Sequence, residues 1–302
     1  MVTCRLCNHN ESHPILSGLK TDFNETYSLL RCKRCSFVTL NPLPDEKTLG
    51  NYYRRYYWQD IRGQDSKYLN LLFTLRMRPI INDLKIMIRG KRRILDWGAG
   101  DGNLVRLLNE SGFTASGIDP YSPVFNDKTI FKTTIHNAPF GDQYFDGIIG
   151  SHVLEHVRNP IESIRSALRL LKPGGVFIIE VPNIRSFQFR LFQSSWQPLE
   201  IPFHLNHFNP DSLRTFLKKK FNLTVLKISF FSHRVSPSAF LLSLFPFFAP
   251  KLMRQKRGYY PTPIKIYYLL CQMAVYPLVL AEAGLKRGAI IRIYLKKESR
   301  AL

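Results

Sequence analysis

The stretch ILDWGAGDGNL, residues 94–104, narrows the choice of fold more than any other part of the chain. An apolar run ends on Asp96, and Gly98, Gly100 and Gly102 then occupy every second position. Glycine is costly to order, so three within five residues need a reason. A strand that turns sharply into a helix, with its backbone open to close ligand approach, supplies one.

The surrounding pattern agrees. From Arg92, apolar strand-like runs alternate with helical ones: RRILDWG, NLVRLLNESG, TASGIDP, a weaker IFKTTI, FDGIIGS, then NPIESIRSALRLLKPGG and VFIIEVP. Asn159 and Pro160 read as a helix start, Asn209 as the cap of PDSLRTFLKKKF, and AIIRIYLKK as a last strand. Such alternation predicts an α/β fold, a parallel sheet with helices on both faces. In such sheets ligands bind at the carboxyl ends of strands, where the topology switches. The turn after ILDW is the first such end.

The glycines alone also suit dinucleotide enzymes. About twenty residues on, GIDP puts Asp119 at the tip of the next strand, where a carboxylate can accept hydrogen bonds from both hydroxyls of an adenosine ribose. Asp96 sits before the glycines, where negative charge disfavours a pyrophosphate and favours a cationic ligand. S-adenosylmethionine, with its sulfonium and amino groups, meets that condition; NAD does not.

ILDWGAGDGNL, GIDP, FDGIIGSHVLEHV and LKPGG, in this order and spacing, resemble the class I S-adenosylmethionine-dependent methyltransferases over roughly residues 80–232 and the final strand. The resemblance implies a seven-stranded Rossmann-like methyltransferase sheet. It implies that Asp96, Gly98, Gly100 and Gly102 line the methionine end of the cofactor and that Asp119 holds the ribose. Ser151 and His152, at the end of the fourth strand, would face cofactor and substrate. Where relatives often carry an acidic residue for the adenine amine, this chain reads TTIHNAPF, which leaves Asn137 or backbone groups for that contact. Glu155 and His156 in VLEHV either cap and orient the next helix or take part directly.

Cys4-x-x-Cys7, 24 intervening residues, then Cys32-x-x-Cys35 has the spacing of a tetrahedral zinc site. Four thiolates leave no open position, so such a zinc is structural; redox-active pairs are the alternative. Cys271 reads as a packing residue. The expected organisation is a zinc ribbon over 1–40, a linker and packing helices over 41–91, the core over 92–232, a helical apolar and basic insert over 233–287, and the final strand and tail over 288–302. Zinc ribbons ahead of a methyltransferase core resemble two arrangements, one in enzymes of nucleotide-linked deoxysugars and surface polysaccharides, the other in ribosomal RNA guanine methyltransferases.

PFHLNHFNPDSL resembles a motif of methyltransferases in glycan and lipid-linked pathways and places His204 and His207 on a loop before a helix. Either histidine, or His152, can serve as general base for a hydroxyl acceptor. His204 and His207 can equally fix the loop through backbone or through Glu180 and Glu200. Asn183 is a further candidate for orienting substrate.

Two uncharged runs in the insert, VSPSAFLLSLFPFFAP and IYYLLCQMAVYPLVLA, are shorter than a bilayer span and carry prolines, with Lys and Arg around them. They predict a helical insert that meets an anionic membrane face, the core or a second subunit. Lys and Arg number 43 against 22 Asp and Glu, a net charge of +21, which calls for an anionic partner. The opening MVTCRLCNHN has no apolar leader segment, and the cysteine spacing suits a reducing compartment, so the cytoplasm, at the inner face of the membrane, is expected. The leading expectation is therefore methyl transfer to a hydroxyl of a sugar, glycan or lipid-linked acceptor. RNA base methylation, with ribbon and basic surface gripping RNA, is the alternative, and a binding module without activity is the third.

Overall fold

The computed structural model describes residues 2–21, 24–53, 67–90, 92–124, 127–233, 235–245 and 262–298. Its centre is a seven-stranded sheet with the order β10-β11-β8-β7-β4-β5-β6. These strands are β4 (Arg93–Trp97), β5 (Thr114–Ile118), β6 (Ile130–Phe131), β7 (Phe145–Ser151), β8 (Leu171–Pro182), β10 (Leu223–Ser229) and β11 (Ile290–Lys297). β4, β5, β6, β7 and β8 pair in parallel, as the alternation predicts. One strand departs from the parallel pattern: β11 runs antiparallel to both β8 and β10. It enters from the apolar insert at the opposite end of the sheet, a direction that residue type does not encode.

Both faces of the sheet are covered. Leu95, Ile148, Phe177 and Ile179 face one side, against Ile164 and Ala167 of α4 (Pro160–Leu170) and Leu213 and Leu217 of α6 (Pro210–Phe221). Their neighbours Ile94, Ile149, Val176 and Ile178 face the other. There they meet α2 (Lys67–Met87), through Met77, Ile80, Ile81 and Leu84, and α3 (Asn103–Glu110), through Leu104 and Leu108. Burial on both faces is why these strands read as continuous apolar runs. The caps fall where the sequence puts them: Asn159 accepts from the Glu162 N–H, and Asn209 forms a reciprocal capping box with Ser212.

The segment between the cysteine pairs, which reads only as polar, is a hairpin of β1 (Ser12–Lys20) and β2 (Thr26–Cys32). With β3 (Val38–Asn41) and β9 (Asn206–His207) it forms a second, antiparallel sheet. The N-terminal unit therefore pairs directly with the loop before α6. The short helix α1 (Glu46–Tyr52) follows it; most of the aromatic and basic stretch after it, residues 54–66, lies outside the described residues.

After α5 (Phe187–Phe192), the insert contributes α7 (Ser236–Leu244) and α8 (Thr262–Gly284). The reading of two apolar runs each shorter than a bilayer span is corrected for the second: α8 is continuous over 23 residues with Pro277 inside it, and its Ile266–Gly284 stretch is long and apolar enough to span by length and composition. Residues 246–261, with Pro246, Pro250 and four of the predicted basic residues, lie outside the described set.

Gly288, at the entry to β11, is fixed by contact: a Cβ there would lie 1.9 Å from the Phe230 carbonyl oxygen. Gly288→Ala must displace backbone, so it is expected to lower unfolding stability by about 3 kcal/mol, seen as a fall in the urea midpoint at unchanged slope.

Candidate active site

Gly98, Gly100 and Gly102 all have left-handed backbone, with φ of +82°, +54° and +75°. A Cβ at Gly98 would sit 2.3 Å from Val153 Cγ2, and one at Gly102 would sit 2.2 Å from Ile130 Cδ1. The turn thus lies pressed between β6 and the segment after β7. Its amides are anchored: Gly98 N–H donates to the Ile118 carbonyl at 2.8 Å, and Gly100 N–H donates to Asp119 Oδ2 at 3.1 Å. Asp119 Oδ1 accepts from Tyr121 N–H at 2.7 Å. Burial pushes the Asp119 carboxyl up, against the pull of these two donors. Each carboxylate oxygen has accepting capacity beyond its one backbone donor. Asp119 therefore fits a nucleoside diol, and Asp96, buried at the end of β4, supplies negative charge before the glycines.

Beyond this turn the loop after β7 carries a cluster of acids and imidazoles. Ser151 Oγ donates to Glu180 Oε1 at 3.3 Å. His152, at φ +56°, is clamped between Glu155 (Nδ1 to Oε1, 3.0 Å) and Glu180 (Nε2 to Oε1, 3.3 Å). Burial pulls the His152 pKa down, but the two carboxylates outweigh it and raise it to about 9. His152 is thus a cation at neutral pH. In that state the imidazole is a counter-ion to the two carboxylates, and a protonated ring accepts no proton.

His204 and His207 are buried. His204 Nδ1 donates to the Pro198 carbonyl at 2.8 Å, and its Nε2 lies 3.4 Å from Glu200 Oε2, which is the loop-fixing arrangement. His207 lies in β9, in register with Val38 of β3. Its ring is enclosed at the junction with the N-terminal sheet, so the reading of His207 as a base that reaches substrate is corrected. Burial lowers His204 to about 4 and His207 to about 3.

The imidazole the sequence left undecided, His156, is half-buried, and burial lowers it to about 4. Its ring stands edge-on to His204 at 4.5 Å. Its Nδ1 lies 3.2 Å from the hydroxyl of Tyr53, and Tyr53 stacks on Tyr121 with centroids 4.4 Å apart. Tyr53, unmarked by any motif, so joins the Asp119 turn to the histidines. One ligand atom each of Glu155, His156 and His204 lies within 4.8 Å of the others.

Two predicted residues stand apart from the cluster. Asn137 is exposed on a short turn, Ile135–Asn137, after β6. Asn183 is fully buried and tied to the Gly288 carbonyl and Arg185 N–H, which corrects its reading as a substrate contact.

The ligand atoms of Cys4, Cys7, Cys32 and Cys35 all lie within 4.8 Å of one another, with Cys4–Cys35 at 3.5 Å and Cys7–Cys32 at 3.6 Å. A tetrahedral zinc at ~2.3 Å from each sulfur spaces its thiolates about 3.8 Å apart. Both pairs close in the same turn: Asn8 N–H donates to the Cys4 carbonyl, Ser36 N–H to that of Cys32, with φ of +57° and +59° at Asn8 and Ser36. The hydrogen bond from Cys35 holds Cys4 down to about 5, while the same hydrogen bond and burial push Cys35 up. Sulfurs so close ionise together only around a cation, so the donor set fits the metal.

Comparison with known proteins gives one family. A family model described as a methyltransferase domain matches residues 57–228. A tRNA U34 carboxymethyltransferase of Syntrophotalea carbinolica is 33% identical over 102 residues, 30% of this chain and 32% of that relative. Ubiquinone biosynthesis O-methyltransferases of Rickettsia typhi and Vibrio parahaemolyticus are each 30% identical, covering 36% and 44% of this chain and 49% and 62% of theirs. The chain thus spans less than two thirds of these relatives. Among solved structures, the cyclase SpnF matches with a TM-score of 0.50 at 16% identity, over 85% of this chain and 97% of that one. A SAM-dependent methyltransferase from Archaeoglobus fulgidus matches at 0.47 and 19%, over 84% and 100%. At such identities the likeness is one of fold.

The histidine pKa values predict a stability maximum near pH 6.5. His156, His204 and His207 titrate lower in the folded chain than in the unfolded one, so each removes stability as pH falls from about 6.5 toward 4, by up to ~1.4 kcal/mol per pH unit. His152 titrates higher, so its contribution is complete below about 6.5 and is lost as pH rises through about 9. Urea melts across pH should show both slopes, and His152→Gln should remove the alkaline one and lessen the acid one, since the His152 charge also helps hold His156 and His204 down.

Proposed function

The chain belongs to the methyltransferase-domain family, and from that premise we propose that it methylates a hydroxyl oxygen of a lipid-linked or sugar acceptor, with His156 as the general base. When bound, S-adenosylmethionine supplies an electrophilic methyl group on a sulfonium. The chain's own residues do the rest. Asp119 and the glycine turn receive the nucleoside, and Asp96 favours the cationic end. His156, unprotonated at neutral pH, takes the acceptor's hydroxyl proton as the oxygen attacks. His204 and Tyr53 hold its ring from two sides. Holding acceptor and donor in line supplies much of the rate.

The observation that carries this reading is the chain of contacts from Asp119 through Tyr121 and Tyr53 to His156, which connects a neutral imidazole to the nucleoside turn. The ubiquinone relatives are by name O-methyltransferases, which supports an oxygen acceptor. The tRNA relative and the charge of +21 support RNA instead. Transfer of labelled methyl into a lipid extract and an RNA extract, side by side, separates the two; label in RNA alone would overturn the hydroxyl reading. His156→Ala should lower kcat by about 10²- to 10⁴-fold with donor affinity retained, whereas Asp119→Ala should lower donor affinity in calorimetry.

We also propose that the four cysteines hold one structural zinc. Elemental analysis should find one zinc per chain. The double substitution Cys4→Ser with Cys35→Ser should remove the metal and lower the melting temperature, and kcat should fall with it because β3 holds β9.

A further inference from the structure

We propose that α8 rests on an anionic lipid bilayer, its outward face immersed in the headgroup and upper acyl region. The helix is inside out. The residues it turns toward the protein include Gln272 and Glu282, which are only 6% and 4% exposed. Gln272 accepts from Arg76 Nη2 at 2.8 Å and donates to Ser238 Oγ at 2.7 Å; Glu282 accepts from Gln188 Nε2 at 3.0 Å. The residues it turns away are large and apolar: Tyr267 is 69% exposed and Met273 62%, with Ile266, Leu270, Leu278 and Leu280 beside them. Leu285, just past its end, and Leu244 and Phe245, at the end of the neighbouring α7, are exposed as well. In water, polar side chains belong outside and large apolar ones inside. A lipid surface reverses the preference for the outer face and leaves the polar pairs sheltered by protein.

Among the described residues this is the helix long and apolar enough to cross a membrane. At 1.5 Å per residue it reaches roughly 34 Å, about the thickness of the hydrocarbon core. It does not cross, because Gln272 and Glu282, ten positions apart, both bond to the body of the protein. It lies flat.

Charge selects the occupant. Lys286 and Arg287 are exposed directly after the helix, and the sequence places Lys251, Arg254, Lys256, Arg257 and Lys265 before or at its start. A second copy of the chain, itself of net charge +21, would bring like-charged residues to the same face, whereas acidic lipid headgroups are drawn to it. This inference stands whichever atom of the acceptor is methylated.

The test uses the full chain with vesicles of phosphatidylcholine, alone or doped with phosphatidylglycerol. Partition onto the doped vesicles, weakened by salt, is expected. The double substitution Leu270→Asp with Met273→Asp, both on the exposed face, should weaken it at least about tenfold while the melting temperature holds. Light scattering on the same samples covers the other occupant. No binding to doped vesicles, binding indifferent to the substitutions, or a dimer that they dissolve without any vesicle binding would each overturn the proposal.

Discussion

The loop from Phe203 to His207 is held from two sides, and the arrangement of the site depends on that grip. On one side, the Leu205 and Asn206 N–H groups both donate to the Glu155 carbonyl, and Asn206 Nδ2 donates to the Val157 carbonyl at 2.7 Å. On the other, Leu40 N–H and the Arg5 guanidinium both donate to the Leu205 carbonyl. Arg5 sits between Cys4 and Cys7 and also donates to the Arg158 carbonyl. The cysteine cluster, the N-terminal sheet and the histidine loop are therefore one mechanical unit. Loosening the cluster would release the carbonyl that positions His204.

The electrostatics of the pocket follow from the same packing. Glu155 and Glu180 are buried carboxylates that need compensation, and His152 and Arg292 supply it. Arg292 comes from the antiparallel β11, so the strand that breaks the parallel pattern delivers the cation that Glu180 requires. Removing one member of such a buried pair typically costs 3–5 kcal/mol, because the survivor stays charged and unpaired. With His152 committed to the carboxylates, the neighbouring His156 and His204 stay neutral. Burial lowers both, and each is disfavoured as a cation by positive charge close by. One histidine thus serves as counter-ion while others keep a lone pair, a division set by environment rather than residue type.

Much of this was legible in the sequence because it rests on local rules. The glycine turn, the strands of the central sheet, the Asn159 and Asn209 caps and the cysteine spacing all depend on residues within a few positions of one another. What was not legible depends on partners far along the chain. The β1–β2 hairpin has no strong alternation, since its sheet is thin and half-solvated. The β3–β9 pairing joins residues more than 160 positions apart. Tyr53 carries no motif, and its stacking partner lies on another element. His152 was singled out and His156 left undecided because the spacing of HVLEH gives no sign of where Glu180 will fall.

The glycine signature itself is less informative than it looks. Gly98 and Gly102 are required by φ and by the nearness of Val153 and Ile130, whether or not a ligand binds. A chain of this fold would keep them for packing alone. Asp119 is different. A carboxylate buried at a strand tip and held by two backbone donors works against its own desolvation, and the fold gains little from that arrangement that an asparagine would not supply. Its spare acceptor capacity suits a ligand rich in hydroxyl donors. The discriminating feature of the turn is therefore the acid at its far side, and the glycines are the condition that lets it be reached.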